Sequence, residues 1–472
     1  MKILLVVPPV GEEQLSIQTD AVLARCAGII LKSHYILPPI GLAYLAAALR
    51  EWSGAQVKVL DCMAEDINPT ESISRIAEQS PDVIFFVLGT PTLKFSLDWV
   101  NRLKDVLPGV TVVAIGSHVT ALPAESLELG RLDVVIRGEP EVTASELVTA
   151  LGEGEGLDKV KGISYRIGGE VRHNPDRPLL QDIDRFPFPA RDLLPNQKYS
   201  APFARHAPFG LIVTARGCPF KCVYCATRVY YGNTWRPRSV ESVCAELKEM
   251  GEKYDLRDIG FWDDTFTIKR ERVIAICRRM IEEGLNIEWI CLSRVDTVDP
   301  EMLEWMNKAG CYQIQFGVES GDEEILRRLG KNITLEQIKN AFRWSRDAGI
   351  YPAAFFMLGN PGETEETVKK TIDLALEIPA SYASFNINTP YPGTELFEGM
   401  KNELKEDWSR FDAKHTSYQI GFDEKSLEKY IREAYHRFYY RPGYILRVLS
   451  NIRSFSDLKR QFKAGMDILR RF

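Results

Sequence analysis

Hydrophobic residues in the first 150 positions fall in short runs that alternate with amphipathic segments. KILLVVPPV begins the pattern as a buried strand stopped by two prolines, and YILPPIGLAYLAAALREW follows as an apolar helix. The strand-like runs QVKVLD, DVIFFV and VTVVAI then alternate with helical segments. This alternation predicts an α/β domain over residues 1–150, with a doubly wound, Rossmann-like parallel sheet.

A second alternating pattern covers residues 207–400. Its strand-like runs are GLIVTA, DIGFW, IEWICLS, YQIQFGVE, YPAAFFMLG and ASFNINT, with helical segments between them. Six strand–helix units predict a partial (β/α)6, TIM-like barrel, whose working groups belong at the C-terminal ends of the strands. Residues 151–206 between the two domains are predicted to form a hairpin followed by a proline-spaced linker.

Residues 401–472 have the pattern of a helical C-terminal region. Apolar side chains near the end recur at three- and four-residue spacing: Leu458, Phe462, Met466, Leu469 and Phe472. From residue 437 onward, nine Lys/Arg stand against two Asp/Glu. We expect this helix to pack on the barrel and close the substrate opening. The alternative is peripheral contact with an anionic membrane surface.

Composition narrows the class of protein. The 472 residues are 45% hydrophobic and 26% charged, as in ordinary globular domains, and the net charge of −6 argues against a nucleic-acid partner. No run of 18 uncharged apolar residues is present, and the short N-terminal apolar run ends in prolines, unlike a signal peptide. We therefore expect a cytoplasmic protein. The basic, amphipathic tail leaves peripheral attachment to a membrane as the alternative.

The most informative chemistry lies in GLIVTARGCPFKCVYCAT. Cys218, Cys222 and Cys225 are spaced C-x3-C-x2-C directly after a strand-like run. Three thiolates on so short a loop suit three corners of a [4Fe–4S] cluster and leave the fourth iron open as a reaction site. A structural zinc site is the alternative, but it needs four ligands, and only His206 lies near enough in sequence to complete one.

The remaining cysteines suggest no further site. Nine cysteines in a long chain without a signal peptide do not indicate a disulfide framework. We expect the other six to be small buried hydrophobes: Cys26, Cys62, Cys244, Cys277, Cys291 and Cys311.

The cysteine spacing, with aromatic Tyr224 before the last cysteine, resembles the signature of radical S-adenosylmethionine enzymes. The resemblance implies that S-adenosylmethionine chelates the open iron and that an electron from the cluster cleaves it to a hydrogen-abstracting 5′-deoxyadenosyl radical. It also implies a reducing partner such as ferredoxin or flavodoxin.

The same resemblance assigns roles to polar residues at the barrel strand ends. Asp263 and Asp264 stand where the family binds the methionine ammonium, although this chain has DDTF in place of the commoner G-G-E. Arg294 is expected to pair with the methionine carboxylate and Glu319 to accept from the ribose hydroxyls. The full set implied for S-adenosylmethionine is Tyr224, Asp263, Asp264, Ser293, Arg294 and Glu319, while the turn in LGNPGET, residues 358–364, is expected near the adenine.

The N-terminal domain, placed before such a core, is similar to the cobalamin-binding domain of the cobalamin-dependent radical subfamily. PPIGLAYLAAAL, GSHVT and RGEPE carry the likeness, whereas G-x-G-x-x-G and the cobalt-ligating D-x-H-x-x-G are absent. Because ligands bind beyond the strand C-terminal ends, the residues implied for cobalamin are Pro8, Pro9, Gly89, Thr90, Gly116, Ser117, His118, Gly138 and Glu139. We expect His118 to line the cleft without binding cobalt. The alternative is a Rossmann-like domain that has lost its ligand.

Together these features predict a cobalamin-dependent radical S-adenosylmethionine enzyme that methylates an unactivated carbon of a small-molecule or lipid-like substrate. The first alternative is a radical cyclase or ring-rearranging enzyme without methyl transfer, as in the anaerobic magnesium-protoporphyrin cyclase group. The second is a non-catalytic corrinoid or cluster carrier.

Overall fold

The computed structural model describes residues 1–9, 36–201, 203–404, 407–413, 415–418, 421 and 423–450. Its first sheet has seven strands in the order β2-β1-β3-β4-β5-β6-β7, and the first five of these are parallel. The strands are β1 Lys2–Val7, β2 Gln56–Asp61, β3 Val83–Val87, β4 Thr111–Ile115, β5 Val134–Ile136, β6 Ile163–Ile167 and β7 Glu170–His173.

Helices cover both faces of this sheet, as predicted for a doubly wound domain. They are α1 Ile40–Ser53, α2 Pro69–Gln79, α3 Leu93–Val106, α4 Ser117–Ala121, α5 Pro123–Leu129 and α6 Pro140–Glu153. The side chains of β1 are fully buried from Ile3 to Val6, and they alternate between two hydrophobic clusters, one on each face. Burial on both faces explains why β1 is a continuous apolar run rather than an alternating one.

The hairpin that we placed in the linker belongs to the sheet. Strand β6 pairs antiparallel with β5, and β7 pairs antiparallel with β6. The turn is made by Gly168 and Gly169 with φ of 60° and 89°, left-handed values that glycine adopts readily. The parallel sheet thus gains an antiparallel edge.

The second sheet has six parallel strands in the order β15-β14-β13-β12-β11-β8 and so confirms the partial barrel, with β8 and β15 at its two open edges. These strands are β8 Phe209–Ile212, β11 Asp258–Phe261, β12 Glu288–Ser293, β13 Cys311–Glu319, β14 Tyr351–Leu358 and β15 Tyr382–Ile387, while β9 Ala215–Arg216 and β10 Arg236–Pro237 form a separate small ladder.

The barrel helices follow the strands in turn. They are α7 Thr227–Tyr231, α8 Val240–Tyr254, α9 Arg270–Glu282, α10 Pro300–Lys308, α11 Glu323–Arg328, α12 Leu335–Asp347, α13 Glu365–Glu377 and α14 Glu395–Met400. Ser239 caps α8 by accepting from the amide of Ser242 at 3.1 Å.

The described part of the C-terminal region packs on the barrel. It contains α15 Glu424–Tyr439 and α16 Pro442–Ser450. Leu427, Ala434 and Phe438 of α15 are fully buried in the barrel core, and the Tyr435 hydroxyl accepts from the Phe385 amide at 3.2 Å.

The predicted amphipathic stripe from Leu458 to Phe472 lies outside the described residues. Within the residues that are described, no helix combines the length and apolarity needed to cross a membrane.

Buried polar contacts of the linker hold the two sheets together. The Arg191 guanidinium, 2% exposed, donates to Glu246 of α8 at 2.6 Å and to the Leu211 carbonyl of β8 at 2.7 Å. The Tyr199 hydroxyl donates to Asp61 at the end of β2 at 2.9 Å. Because a buried charge is costly unless it is paired, these contacts fix the linker against both domains.

Candidate functional site

A large cavity lies where the C-terminal strand ends of the two domains face each other. It holds about 2050 Å³ of space not filled by protein atoms, part of it open to solvent. From the first domain it is lined by six of the residues predicted for cobalamin: Pro8, Gly89, Thr90, Gly116, Ser117 and Glu139. The barrel contributes the opposite wall, which includes Ala215, Arg216, Ala226, Thr227, Tyr230, Tyr231, Trp262, Asp264 and Tyr391.

Gly116 shows why the floor of this cavity is bare backbone. Its φ of +133° is strained for any residue with a side chain, and an added Cβ would lie 2.6 Å from the Leu88 carbonyl oxygen. The ends of β3 and β4 therefore approach each other closely only because this position is glycine.

Three residues predicted for the cleft do not line it: Pro9, His118 and Gly138. His118 is fully buried. Its Nδ1 lies 3.0 Å from the Thr90 hydroxyl, and its ring stacks edge-on against Trp408 at 5.1 Å between centroids. Burial lowers the pKa of His118 to about 4, so the ring is neutral at physiological pH. The structure therefore places His118 behind the cavity lining, where Trp408 of the C-terminal region packs against its ring.

Glu139 lines the cavity, but both its oxygens are bound to arginines of the barrel. Arg216 donates to Glu139 at 2.9 Å and to Glu141 at 2.5 Å, while Arg236 forks onto Glu139 at 2.8 and 2.9 Å. All four side chains are at most 10% exposed. The RGEPE segment, which we associated with the ligand, thus supplies an ionic contact between the domains, and this contact occupies the carboxylate predicted to bind cobalamin.

The three motif cysteines lie on the loop between β9 and α7. Backbone hydrogen bonds hold this loop from two sides, from the Val223 amide to the Leu329 carbonyl at 3.1 Å and from the Leu396 amide to the Val223 carbonyl at 2.9 Å. None of the three forms a disulfide bond; Cys222 is buried, whereas Cys218 and Cys225 are half-buried. Burial raises the pKa of Cys218 to about 11, so binding to a metal must displace a proton.

A second cavity lies inside the barrel, beside this loop. Tyr224 and Glu319 are in its wall, which is completed by Ala226, Phe355, Met357, Asn386, Ile387, Asn388, Thr389, Tyr391 and Ala413. The Tyr224 hydroxyl donates to Glu319 Oε1 at 2.9 Å. Ala226 and Tyr391 line both cavities, so the barrel interior and the interdomain space share a wall.

Arg294 lies beside the cysteine loop but is already engaged. Its Nε and Nη2 donate to the two oxygens of Asp296, each at 2.9 Å, and Nη1 lies 3.6 Å from Cys222 Sγ. The expected fork onto a methionine carboxylate would require this ion pair to open. Ser293 contacts the Thr267 hydroxyl at 2.5 Å and is buried.

The two adjacent aspartates have different surroundings. Asp263 is buried and accepts from the Thr214 amide at 2.6 Å and from the Ala215 amide at 3.0 Å. Burial also raises its pKa. Asp264 instead lines the interdomain cavity and accepts from the Thr227 hydroxyl at 2.5 Å. The geometry therefore favours a structural role for Asp263, whereas Asp264 faces the interdomain cavity.

Comparisons with known proteins agree with this two-part site. Residues 27–148 match the B12 binding domain, and residues 212–375 match the radical SAM superfamily. The chain is 37% identical over 452 residues to an uncharacterized methyltransferase of Pyrococcus horikoshii. This alignment covers 95% of the chain and 94% of the relative. The chain belongs to the cobalamin-dependent radical S-adenosylmethionine family.

More distant relatives fit the same family. An anaerobic magnesium-protoporphyrin IX monomethyl ester cyclase of Rubrivivax gelatinosus is 28% identical over 379 residues, covering 78% of this chain and 67% of the cyclase. The solved structure of the cobalamin-dependent S-adenosylmethionine radical enzyme OxsB superposes with a TM-score of 0.73 at 17% identity, covering 99% of this chain and 72% of OxsB. At that identity the likeness to OxsB shows the fold.

Enzymes of this family use a [4Fe–4S] cluster, S-adenosylmethionine and cobalamin, and the residues present fit these groups. Three thiols on one loop, none of them in a disulfide bond, match the sulfur donors of a cluster whose fourth iron has no protein ligand. Among the described residues, no group of three or more His, Cys, Asp or Glu side chains is arranged for a single metal ion. A cubane binds its three thiolates on three different irons, which sets them further apart than the ligands of one ion.

The alternative of a structural zinc site needs His206 as its fourth ligand, and His206 lies away from the cysteines. His206 precedes β8, at the opposite end of the strand from the cysteine loop, and its Nε2 pairs with Glu288 at 2.7 Å. Its side chain is 62% exposed. The interdomain cavity fits a corrinoid in its lining, because it is bordered by the strand ends where such a ligand binds and Gly116 leaves no side chain there.

Sequence reasoning missed four residues of this site: Arg216, Tyr391, Trp408 and Lys331, whose Nζ donates to Glu319 Oε1 at 3.1 Å. Arg216 lies two positions before Cys218, and its proximity to the motif was a usable signal. Tyr391 and Trp408 follow the last barrel strand, and no local pattern relates them to the first domain. Lys331 is a lone lysine after a short helix, which sequence alone does not distinguish from a surface residue.

Proposed function

We propose that this protein methylates an unactivated carbon of a small-molecule or lipid-like substrate held at the interface between the two domains. The observation that carries the proposal is the wall shared by the two cavities. Ala226 and Tyr391 border both the space behind the cysteine loop and the space above the first sheet. A substrate at this wall is reachable from both sides, as a reaction that uses two cofactors requires.

Residues of this chain would hold the three groups as follows. Cys218, Cys222 and Cys225 would bind the cluster, and the strand ends near Gly89 and Gly116 would receive cobalamin. When bound, the cluster with S-adenosylmethionine supplies a hydrogen-abstracting radical, and cobalamin supplies the methyl group. The division into residues 1–150, 151–206, 207–400 and 401–472 and the individual ligand contacts are part of this proposal.

The barrel cavity offers the contacts for S-adenosylmethionine. Glu319 and Tyr224 line it and bind each other, so the carboxylate would accept from the ribose while the ring excludes water from the cluster side. Asp264, at the edge of the other cavity, is the acidic group that we propose for the methionine ammonium. Asp263, Ser293 and Arg294 would support this site by fixing the loops around it.

The walls of the interdomain cavity support an uncharged, largely apolar substrate. Its aromatic side chains are Tyr44, Tyr230, Tyr231, Trp262 and Tyr391, together with five prolines. Among the charged residues that line it, one arginine and two glutamates pair with one another in the contact between the domains, and Asp264 accepts from the Thr227 hydroxyl. A small neutral molecule or an isoprenoid-like chain fits such walls better than a phosphorylated one. A reduced ferredoxin or flavodoxin would supply the electron.

The experiment is anaerobic reconstitution with iron, sulfide and cobalamin, followed by reaction with methyl-labelled S-adenosylmethionine and candidate apolar substrates. Transfer of the label to a carbon of the product, together with deoxyadenosine, is the expected result. The relative from Rubrivivax gelatinosus favours cyclisation as a second candidate. In that case deoxyadenosine and an oxidised product would form without label. Absence of deoxyadenosine in every reaction would refute both.

A further inference from the structure

Lys331 is a buried cation close to the cysteine loop. Its side chain is 4% exposed, and its Nζ lies 3.1 Å from Oε1 of Glu319, which is 2% exposed. The same Oε1 accepts from the Tyr224 hydroxyl at 2.9 Å. Oε1 of Glu319 therefore contacts both the Lys331 ammonium and the hydroxyl of Tyr224, which lies between two of the cysteines in the sequence.

The backbone around Lys331 is fixed against the same loop. Gly330, with φ of +66°, lies so close that an added Cβ would be 2.6 Å from the Lys221 carbonyl oxygen. The Arg294 guanidinium donates to the Lys331 carbonyl at 2.8 Å. Lys331 thus approaches Glu319 from a turn that rests directly on the segment carrying the cysteines.

A glycine on the barrel strand leaves space for the pair. A Cβ on Gly317 would lie 2.5 Å from Glu319 Oε1 and 2.8 Å from Lys331 Nζ. The register of β13 against β14 shifts between Gly317 and Glu319, and Glu319 itself adopts a φ of +72°. A left-handed conformation is strained for a non-glycine residue, and such strain persists where the surrounding contacts fix the backbone.

We propose that Lys331 is a positioning residue for the S-adenosylmethionine site: its ammonium holds the Glu319 carboxylate, and with it the Tyr224 ring, in the wall of the barrel cavity. The inference rests on the proposed function. Without the cation, a buried carboxylate on a strained backbone loses the positive charge that stabilises and orients it. Glu319 then turns away from the cavity, and affinity for S-adenosylmethionine falls while the cysteines remain able to bind iron.

The first test uses Lys331→Met, which keeps the length of the side chain and removes the charge. After anaerobic reconstitution, we expect wild-type iron and sulfide content and about a tenfold weaker S-adenosylmethionine affinity, as for loss of an oriented charged hydrogen bond. The change that S-adenosylmethionine causes in the paramagnetic resonance spectrum of the reduced cluster should weaken in parallel. Lys331→Arg should retain most of the affinity. Lys104→Met is the matched control, because Lys104 is also buried, at 8% exposure, and pairs with Asp133 in the first domain.

Gly317→Ala tests the same idea without removing a charge. Its methyl group would meet only the tips of two flexible side chains, so the chain should fold while the pair is displaced. We expect the same loss of affinity as in Lys331→Met. Wild-type affinity in either variant, or loss of iron from both, would overturn the proposal, and if Lys331→Met does not fold, Gly317→Ala decides. A wild-type protein that binds neither iron nor S-adenosylmethionine would instead refute the proposed function.

Discussion

Replacing Arg216 by methionine would remove the cation that pairs with two buried glutamates between the domains. Arg216 is 8% exposed, and its partners Glu139 and Glu141 have side chains that are 10% and 4% exposed. Removing one partner of a buried pair costs about 3–5 kcal/mol, because the remaining charge is left uncompensated. Arg236 still neutralises Glu139 in the variant. We therefore expect Arg216→Met to lower the free energy of unfolding by about 3 kcal/mol, mostly because the Glu141 carboxylate is left without Arg216.

This loss of stability can be measured by urea unfolding, with tryptophan fluorescence as the signal. The matched control is Arg75→Met, because Arg75 also pairs with two glutamates, at 2.6 and 3.0 Å, but is 41% exposed. Exposed pairs contribute little to stability, because water and salt screen their charges. Adding Glu141→Gln to Arg216→Met should recover part of the loss, since the unpaired charge is removed as well. Weaker binding of hydroxocobalamin, followed by absorbance, should accompany the loss because Arg216 lines the cavity.

The pH dependence gives an independent check. Burial raises the pKa of Glu139, but Arg216 and Arg236 outweigh burial and hold the pKa below its ordinary value. A carboxyl with a lowered pKa stabilises the fold above its unfolded pKa of about 4.3, and this stabilisation disappears as pH falls through the folded value. The difference in the free energy of unfolding between wild type and Arg216→Met should therefore become smaller at acidic pH. Equal losses for Arg216→Met and Arg75→Met, or a difference unchanged by acid, would refute the reasoning.

Three further predictions concern other parts of the molecule. Cys222→Ala should abolish iron binding, measured by iron and sulfide analysis, without unfolding the chain, whereas Cys244→Ala, in the barrel core, should leave iron content unchanged. Gly116→Ala should prevent cobalamin binding, measured by absorbance, because its Cβ would collide with the backbone of β3. Burial raises the pKa of Glu363 to about 7. The folded state then holds a proton that the unfolded state has lost between about pH 4.5 and pH 7, so stability should fall as pH rises through this window, and Glu363→Gln should remove that slope in urea titrations.

The sequence predicted the order of elements well because most of the parallel strands are buried on both faces. Such strands are continuous apolar runs, as in KILLVV and VIFFV, and they alternate with helices of clear periodicity. The cysteine loop was equally easy to predict from the sequence, because three cysteines within eight positions form a local pattern. The five described cysteines outside the motif are buried, as expected, and Cys26 lies outside the described residues.

The contacts between distant segments could not be predicted in the same way. The hairpin Ile163–His173 joins the first sheet by pairing with β5, and turn residues do not show which strand a hairpin will pair with. His118 is covered by Trp408, which lies 290 positions later in the chain. Glu139 was placed at the right edge of the sheet, but its arginine partners come from the other domain.

The barrel site shows the same limit. Glu319 was predicted at the end of its strand and lies there, in the wall of a cavity. Its neighbour Lys331 is separated from it by a short helix, so only the folded chain shows that they touch. Arg294 reaches the cysteine loop, yet its guanidinium is bound to Asp296, two positions away, a competition that sequence spacing does not reveal.

The most direct test of the central claim is to reconstitute the wild-type protein anaerobically, add S-adenosylmethionine and a strong reductant, and quantify iron, sulfide and deoxyadenosine in the same sample. We predict about four irons and four sulfides per chain, as for one cubane cluster, with deoxyadenosine formed only when the reductant is present. Zinc in place of iron, or a complete cluster that never yields deoxyadenosine, would contradict the account.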